Sequence, residues 1–71
     1  MNEFKLREGS DFIDLMQLLK VEGIAQTGGH AKIIVEEGDV YVNDEQEFRK
    51  RRKLRVGDVV VIGGDLEIKI V

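Results

Sequence analysis

The chain has 71 residues, of which 42% are hydrophobic and 35% are charged, and its formal net charge is −3. This length supports one modest core, so we expect residues 1–71 to form a single domain. The absence of cysteine excludes a disulfide framework and a thiolate metal site, and no aliphatic run approaches the length of a transmembrane span. We therefore expect a soluble, cytoplasmic monomer that binds no cofactor, no metal and no membrane.

The first predicted elements are a short strand and a helix. Phe4 and Leu6 alternate with charged neighbours, which is typical of a half-buried strand. Ser10 or Asp11 then offers a helix N-cap. The apolar residues that follow have the i, i+3, i+4, i+7 spacing of one helical face: Phe12, Leu15, Met16 and Leu19.

The first helix is expected to end near Glu22. Gly23 suits the left-handed C′ position that ends many helices, and Ile24 is placed to pack back on Leu19 as in a Schellman cap. A second helix is expected to begin after Thr27, whose hydroxyl can accept a hydrogen bond from a backbone N–H in the first turn. The short connection predicts that the two helices pack as a hairpin.

Strands are predicted after the second helix, which should end near Glu37 because Gly38 offers another C′ residue. Residues 40–42 have the period of a strand, and Asn43-Asp44 forms a plausible tight turn because both residues tolerate positive φ. Residues 59–62 and 66–71 predict two further strands. The fold class is therefore α+β, with a two-helix hairpin packed on a small, mostly antiparallel sheet.

A basic run is the strongest functional signal in the chain. Residues 49–55 carry a charge of +6 and contain no acid, whereas the rest of the chain carries −9. One intense positive patch on an acidic body favours a single docking face for a polyanion. The cations of this run are candidates for phosphate contacts: Arg49, Lys50, Arg51, Arg52, Lys53 and Arg55.

Desolvation predicts that this run leaves the sheet. In a regular strand over residues 48–56, Lys50 and Arg52 would share a face with Phe48 and Leu54, and burying unpaired cations costs several kcal/mol. We expect Phe48 and Leu54 to anchor a protruding loop that presents its cations to solvent. Two alternatives stay open: a solvated loop paired with acids such as Glu45 and Glu47, or a nuclear-localisation signal.

The start of the second helix offers a second anion site. Thr27, Gly28 and Gly29 lie where unpaired N–H groups and the positive end of the helix dipole meet two residues without side chains. Lys32 lies in the first turns and adds a charge. The alternative is that the two glycines only make a tight turn.

Other polar residues carry little chemistry. His30 has no second histidine, cysteine or acid cluster near it in sequence, so we expect neither a metal site nor a catalytic dyad. No credible nucleophile stands beside a base, which argues against an enzyme. Tyr41 faces away from Val40 and Val42, so it is either a base-stacking residue or simply a good strand former.

Four segments together resemble the S-four-type RNA-binding domain, also called the alpha-L motif. They are residues 18–24 (Leu-Leu-Lys-Val-Glu-Gly-Ile), 27–32 (Thr-Gly-Gly-His-Ala-Lys), 36–43 (Glu-Glu-Gly-Asp-Val-Tyr-Val-Asn) and 51–60 (Arg-Arg-Lys-Leu-Arg-Val-Gly-Asp-Val-Val). The resemblance covers roughly residues 10–62. It is greatest to small free-standing bacterial members of the family.

The resemblance implies two helices on a small sheet, with the start of the second helix and the following hairpin gripping structured RNA, commonly ribosomal. It implies binding without catalysis and a role in ribosome assembly or quality control. His30 is a departure, since relatives often have an acid there. By position, the implied contacts are Thr27, Gly28, Gly29, Lys32, Asn43, Arg49, Arg51, Arg52, Lys53 and Arg55.

Two other functional classes compete with this interpretation. A β-grasp sulfur carrier shares the strand, helix and late Gly-Asp-Val-Val pattern, but it needs a free C-terminal Gly-Gly, and here Gly63-Gly64 precedes a strand. A protein-interaction module that docks an acidic partner would also use the uneven charge.

Overall fold

The computed structural model describes residues 2–71, so Met1 lies outside the described residues. Two short strands precede two consecutive helices, and five strands follow them. The spacing of apolar residues, every second residue in strands and every three to four residues in helices, predicts this kind of order. The elements are β1 (Asn2–Phe4), β2 (Ile13–Asp14), α1 (Leu15–Val21), α2 (Gly28–Glu36), β3 (Val40–Val42), β4 (Glu45–Gln46), β5 (Lys53–Leu54), β6 (Val59–Ile62) and β7 (Leu66–Ile70).

The main sheet has five strands in the order β1-β7-β6-β3-β4. Strands β7, β6, β3 and β4 are antiparallel neighbours, and β1 pairs with β7 in parallel. Asn43 and Asp44 have φ values of 52° and 70°, so they form the two-residue turn between β3 and β4. The expected mostly antiparallel sheet is confirmed, while the parallel pairing of β1 with β7 has no local sequence signal.

The core lies between the two helices and one face of this sheet. The helices bury residues at helical spacing, and the strands bury every second residue, as amphipathic elements must in a two-layer domain. Burying each large aliphatic side chain contributes about 1.5–3 kcal/mol. The fully buried residues include Leu15, Leu18, Leu19, Ala31, Val35, Val40, Val42, Val60, Ile68 and Ile70. The α+β fold with a two-helix hairpin is confirmed.

Helix α1 ends in the expected Schellman cap. Gly23 has a φ of 74°, and its N–H donates to the Lys20 carbonyl at 3.1 Å. The N–H of Ile24 donates to the Leu19 carbonyl at 2.9 Å, which is the second bond of the motif. The N-cap of α2 is also confirmed, because the Thr27 hydroxyl accepts a hydrogen bond from the His30 N–H at 3.1 Å.

The predicted start of α1 is wrong. The N-cap is Asp14, whose carboxylate accepts from the Gln17 N–H at 2.8 Å, rather than Ser10 or Asp11. Residues 13 and 14 instead form β2, which pairs with β5. Phe12 therefore precedes the helix and is not on its face. The gain from pairing two strands and burying Leu54 outweighs one more helical turn at this point.

Within residues 2–71, neither helix is long and apolar enough to cross a membrane. The same residues contain no group of three or more His, Cys, Asp or Glu side chains arranged to hold a metal ion.

Candidate nucleic-acid interface

The basic run is fastened to the body of the protein by its backbone. The carbonyl of Arg52 accepts a hydrogen bond from the Leu15 N–H, and that of Lys50 accepts one from the Met16 N–H, both at 2.9 Å. These two N–H groups belong to the first turn of α1, where no intrahelical acceptor exists. The loop of residues 49–52 thus caps the helix with its main chain and exposes the side chains of Arg49 and Arg51. The predicted departure of this segment from the sheet is confirmed.

Glu47 is a buried carboxylate that organises the loop. Only 6% of the residue is exposed, and its two oxygens are bound by two arginines. Arg49 donates from Nε and Nη2, each at 3.0 Å, and Arg52 donates from Nη1 at 2.8 Å. Burial alone would raise the pKa of Glu47. The hydrogen bonds from Arg49 foremost, and then from Arg52, outweigh burial and lower that pKa to about 2.

This ion-pair cluster corrects two expectations about the loop. Arg52 does not project into solvent: 28% of its side chain is exposed, and its guanidinium is held by Glu47. Arg49 is 73% exposed but is bonded to the same carboxylate, which raises the pKa of its guanidinium. Phe48 is not an anchor, since 56% of it is exposed, whereas Leu54 is fully buried. The anticipated pairing with Glu47 is therefore present, but only for these two arginines.

The cations of the run surround an open cleft of about 820 Å³. Arg51 and Lys53 are exposed on its wall and have no ion-pair partner among residues 2–71. Lys50 is half-buried and lies outside the lining. Five cations against Asp58 and the Glu47 carboxylate bonded to two of them leave this cleft electropositive. The lining residues are Arg49, Arg51, Arg52, Lys53, Arg55 and Asp58.

The one acid of the cleft is fixed by the fold. Asp58 accepts hydrogen bonds from the Arg55 backbone N–H at 2.8 Å and from Nδ2 of Asn43 at 3.0 Å. Burial raises the pKa of Asp58, but these hydrogen bonds and the charges of Arg52 and Arg55 together lower it below its usual value. Oδ1 of Asn43 also accepts from the Val59 N–H at 3.0 Å. The structure thus places Asn43 as a brace between the hairpin turn and the edge of the cleft.

The start of α2 leaves its backbone open. Gly28 and Gly29 have ordinary helical φ, and a Cβ on Gly29 would meet only the Thr27 hydroxyl at 3.9 Å. A Cβ on Gly28 would make an ordinary 3.5 Å contact with the Met16 sulfur. Glycine costs about 1 kcal/mol relative to alanine within a helix. The local packing therefore does not explain why both positions are glycine.

Met16 brings the two predicted halves of the site together. Its N–H is bonded to the Lys50 carbonyl, and its sulfur lies against Gly28. The basic loop and the first turn of α2 therefore flank the same turn of α1. Lys32 is exposed on α2 and lies 4.0 Å from Glu36, an exposed pair of little energetic weight.

Two further polar residues that the sequence singled out are His30, in the first turn of α2, and Tyr41, on β3. Nδ1 of the exposed His30 accepts a hydrogen bond from the Gln26 N–H at 3.3 Å. Tyr41 lies on the outer face of the sheet and is 40% exposed, as its alternation with Val40 and Val42 predicts.

Sequence reasoning missed Phe12, which lies at the rim of the cleft. Nζ of Lys53 lies 4.9 Å from the centroid of its ring, and Cζ of Arg55 lies 5.7 Å from the same point. Both distances are within cation–π range. Phe12 is far from Lys53 and Arg55 in the chain and meets them because β2 pairs with β5, so no local pattern reveals the contact.

A family model described as "S4 domain" matches residues 4–71 of the chain. The chain therefore belongs to the S4 domain family, and its resemblance to the alpha-L motif is confirmed. It is 49% identical over 55 residues to the Bacillus subtilis (strain 168) protein named "Probable ribosome maturation protein RlbA", covering 78% of each chain. It is 42% identical over 52 residues to YbcJ of Escherichia coli (strain K12), covering 73% of this chain and 74% of YbcJ.

A solved structure shows the same fold. The solution structure of YbcJ from E. coli superposes with a TM-score of 0.70 at 37% sequence identity, covering all of this chain and 87% of the other. That structure is described as revealing an alpha-L motif involved in RNA-binding.

Proposed function

We propose that this protein is a non-catalytic RNA-binding protein that recognises structured RNA in the cytoplasm. Its target is ribosomal RNA or a ribosomal subunit, and its role is in ribosome assembly or quality control. The observation that carries the proposal is the electropositive cleft of residues 49–55 beside the open start of α2.

The cleft suits the phosphate backbone of RNA. The guanidinium group of Arg51 can bind phosphate oxygens in bidentate fashion, and the ammonium group of Lys53 can bind a phosphate as a point charge. Arg55 lies on the same wall. Arg49 keeps an exposed edge although Glu47 holds its head group. Repulsion among these cations is relieved when a polyanion binds, which favours occupation of the cleft.

The start of α2 supports a second phosphate contact. Unpaired N–H groups at a helix N-terminus bind anions, and the absence of side chains at Gly28 and Gly29 lets a phosphate approach them. Two anchors on either side of α1 hold phosphates in a set geometry, which a folded RNA presents and a flexible strand does not. This arrangement favours structured RNA.

The ribosomal part of the proposal rests on similarity. The B. subtilis relative is named as a ribosome maturation protein, and the YbcJ structure is described as carrying a motif involved in RNA-binding. The identity of 49% to the B. subtilis protein makes a shared role the simplest hypothesis.

Binding to a short RNA hairpin, measured by fluorescence anisotropy, tests the proposal. We expect tighter binding to the hairpin than to an unstructured strand of equal length. With about four phosphate contacts, the slope of log affinity against log salt should be roughly −3 between about 50 and about 200 mM salt. A flat slope would rule out the electrostatic account.

Poly-glutamate of matched charge tests the competing hypothesis. A protein-interaction module for acidic partners should bind poly-glutamate at least as tightly as the hairpin, whereas an RNA-binding site should prefer the hairpin.

In cells, crosslinking followed by RNA sequencing identifies the target, and recovery of messenger RNA without ribosomal RNA would refute the ribosomal role.

A further inference from the structure

A second concave surface lies beside the basic cleft and has no role in the proposal above. It is an open groove of about 630 Å³ between the segment of residues 4–10 and the first turns of α1. Its volume falls within the range of about 300–1,000 Å³ typical of sites for small ligands. We name it the Phe12 groove after the aromatic residue on its rim.

The Phe12 groove adjoins the basic cleft. Phe12 lines the groove, while the two cations stacked on its ring, Lys53 and Arg55, line the cleft. The pairing of Asp14 with Lys53 across β2 and β5 also sets the two surfaces side by side. An RNA held in the cleft can therefore extend a neighbouring nucleotide into the groove.

The lining of the Phe12 groove combines three kinds of group. Phe12 offers a ring that is 40% exposed, Ser10 and Gln17 offer a hydroxyl and an amide, and Lys5 and Arg7 offer cations. The one acid in the lining is Asp14, whose carboxylate accepts the Gln17 N–H as the N-cap of α1.

These groups match the three parts of a nucleotide. A base stacks on an aromatic ring, hydroxyl and amide groups pair with the edge of a base, and cations bind the phosphate. Exposed apolar side chains such as Phe12 and Val21 gain from being covered by a base. Because RNA bases inside a helix are already stacked, only an unpaired nucleotide can use this groove.

We propose that the Phe12 groove binds an unpaired nucleotide next to the RNA helix held in the basic cleft. This inference rests on the proposed function and adds to it the kind of RNA that is recognised. The preferred target is then a junction between a helix and a single strand, and a continuous duplex is a weaker ligand.

A comparison of three RNA probes tests the groove. One probe is a short blunt-ended RNA hairpin, and the others are the same hairpin with a short single-stranded tail at the 5′ or the 3′ end. Wild-type protein should bind one of the tailed hairpins about tenfold more tightly than the blunt one, as expected for one base stacked on an aromatic side chain. Equal affinity for all three probes would overturn the inference.

Variants locate the effect. Phe12→Ala should abolish the tenfold gain from the tail, and Phe12→Tyr should retain it. Phe48→Ala is the matched control, because Phe48 is a more exposed phenylalanine that does not line the groove. If Phe12→Ala retains the gain, or Phe48→Ala loses it, the tail binds elsewhere.

A variant of two exposed cations provides a second test that does not depend on whether the Phe12 variants fold. Lys5→Gln with Arg7→Gln should reduce the gain from the tail without changing affinity for the blunt hairpin. An unchanged gain would exclude these cations from the site. Failure of every hairpin to bind would refute the proposed function itself, whereas binding of the blunt hairpin without a gain from either tail would refute only the groove.

Discussion

Arg52 and Glu47 form an ion pair in which Nη1 of the arginine lies 2.8 Å from Oε1 of the carboxylate. The acid is almost fully buried, and the arginine is mostly so. An ion pair of this kind contributes little relative to apolar residues, but removal of one partner leaves a desolvated charge without compensation. Arg52 therefore belongs to the framework of the basic loop as well as to the wall of its cleft.

Glu47→Gln should destabilise the fold. The neutral amide leaves the Arg52 guanidinium uncompensated and weakens hydrogen bonds to charged donors, each of which contributes about 1.5–3 kcal/mol. We expect a loss of about 2 kcal/mol in the free energy of unfolding by urea, or roughly 10 °C in Tm. Glu45→Gln on the exposed strand β4 is the control and should change stability little. Equal stability of the two variants would show that the buried ion pair is energetically neutral.

The stability of the wild-type protein should fall at acidic pH. The pKa of Glu47 is lowered from its ordinary value of 4.5 to about 2. Between these values the unfolded chain binds a proton that the folded protein does not, so stability decreases as the pH falls from about 4.5 to about 2. The loss from this group should be about 3 kcal/mol.

Urea titrations across this pH range test the assignment. The difference in stability between wild type and Glu47→Gln should be full at neutral pH and should shrink as the pH approaches 2. Asp58 also has a lowered pKa, but the substitution leaves its hydrogen bonds from Arg55 and Asn43 in place, so its contribution should cancel in the comparison. A difference that is constant with pH would show that another group causes the acid sensitivity.

Arg51→Gln should weaken RNA binding without affecting stability. Arg51 is exposed on the wall of the cleft and forms no ion pair within residues 2–71. Loss of one phosphate contact should reduce the salt slope by about 1 and weaken binding similarly for all RNA sequences. Lys69→Gln, on an exposed position of β7, is the matched control and should leave both affinity and slope unchanged.

Arg51→Gln is a better probe of binding than a charge reversal at both Arg51 and Arg52, because it leaves the ion pair of Arg52 intact. Reversing both charges with Arg51→Glu and Arg52→Glu places a new carboxylate beside Glu47. That double variant should therefore lose stability as well as affinity, and it does not isolate the binding function. If the salt slope of Arg51→Gln equals that of the wild-type protein, the phosphate contacts are made by other residues.

Gly29→Asp should change stability and binding in opposite directions. The site has room for a side chain, and an acid in the first turn of a helix contributes about 0.3–1 kcal/mol through the helix dipole. The same charge occupies the position proposed for a phosphate, so RNA affinity should fall at least tenfold. Gly29→Asn is the uncharged control of similar shape. If Gly29→Asp binds RNA as tightly as the wild-type protein, the glycine pair has only a structural role.

Asn43→Ala should destabilise the hairpin between β3 and β4. The substitution removes the hydrogen bonds to Asp58 and Val59 and leaves alanine at a φ of 52°, which disfavours a residue with a Cβ. We expect a loss of about 2 kcal/mol in unfolding experiments. Asn43→Gly removes the same bonds without the backbone strain, so it should be less destabilising than Asn43→Ala. The reverse order would indicate that the backbone conformation is not the limiting cost.

Local signals explain the parts of the fold that the sequence predicts well. Gly23 and Ile24 form the Schellman cap, Thr27 caps α2, and Asn43-Asp44 forms the tight turn. Each of these features depends on the conformational preferences of a few neighbouring residues. The run of β-branched residues between two glycine turns that predicts a strand at residues 59–62 is equally local, and β6 has those bounds.

Long-range pairing explains why the sequence predicts the wrong start of α1 and does not reveal the burial of Glu47. The segment before Leu15 contains three residues suited to an N-cap, and Asp14 is selected because Ile13 pairs with Leu54 in a distant part of the chain. Glu47 follows the polar β4 and gives no sign of burial until Arg49 and Arg52 fold back on it. The desolvation argument predicts the protruding loop correctly, but it cannot identify which cations will find a partner.

The support that the basic loop gives to α1 comes from the carbonyl groups of Lys50 and Arg52. Every amino acid has a carbonyl group, so substitution at position 50 or 51 does not remove these hydrogen bonds. Evolution can therefore vary the chemistry of the loop at these two positions while the scaffold persists. A change of RNA preference through these side chains therefore leaves the hydrogen bonds that support α1 in place.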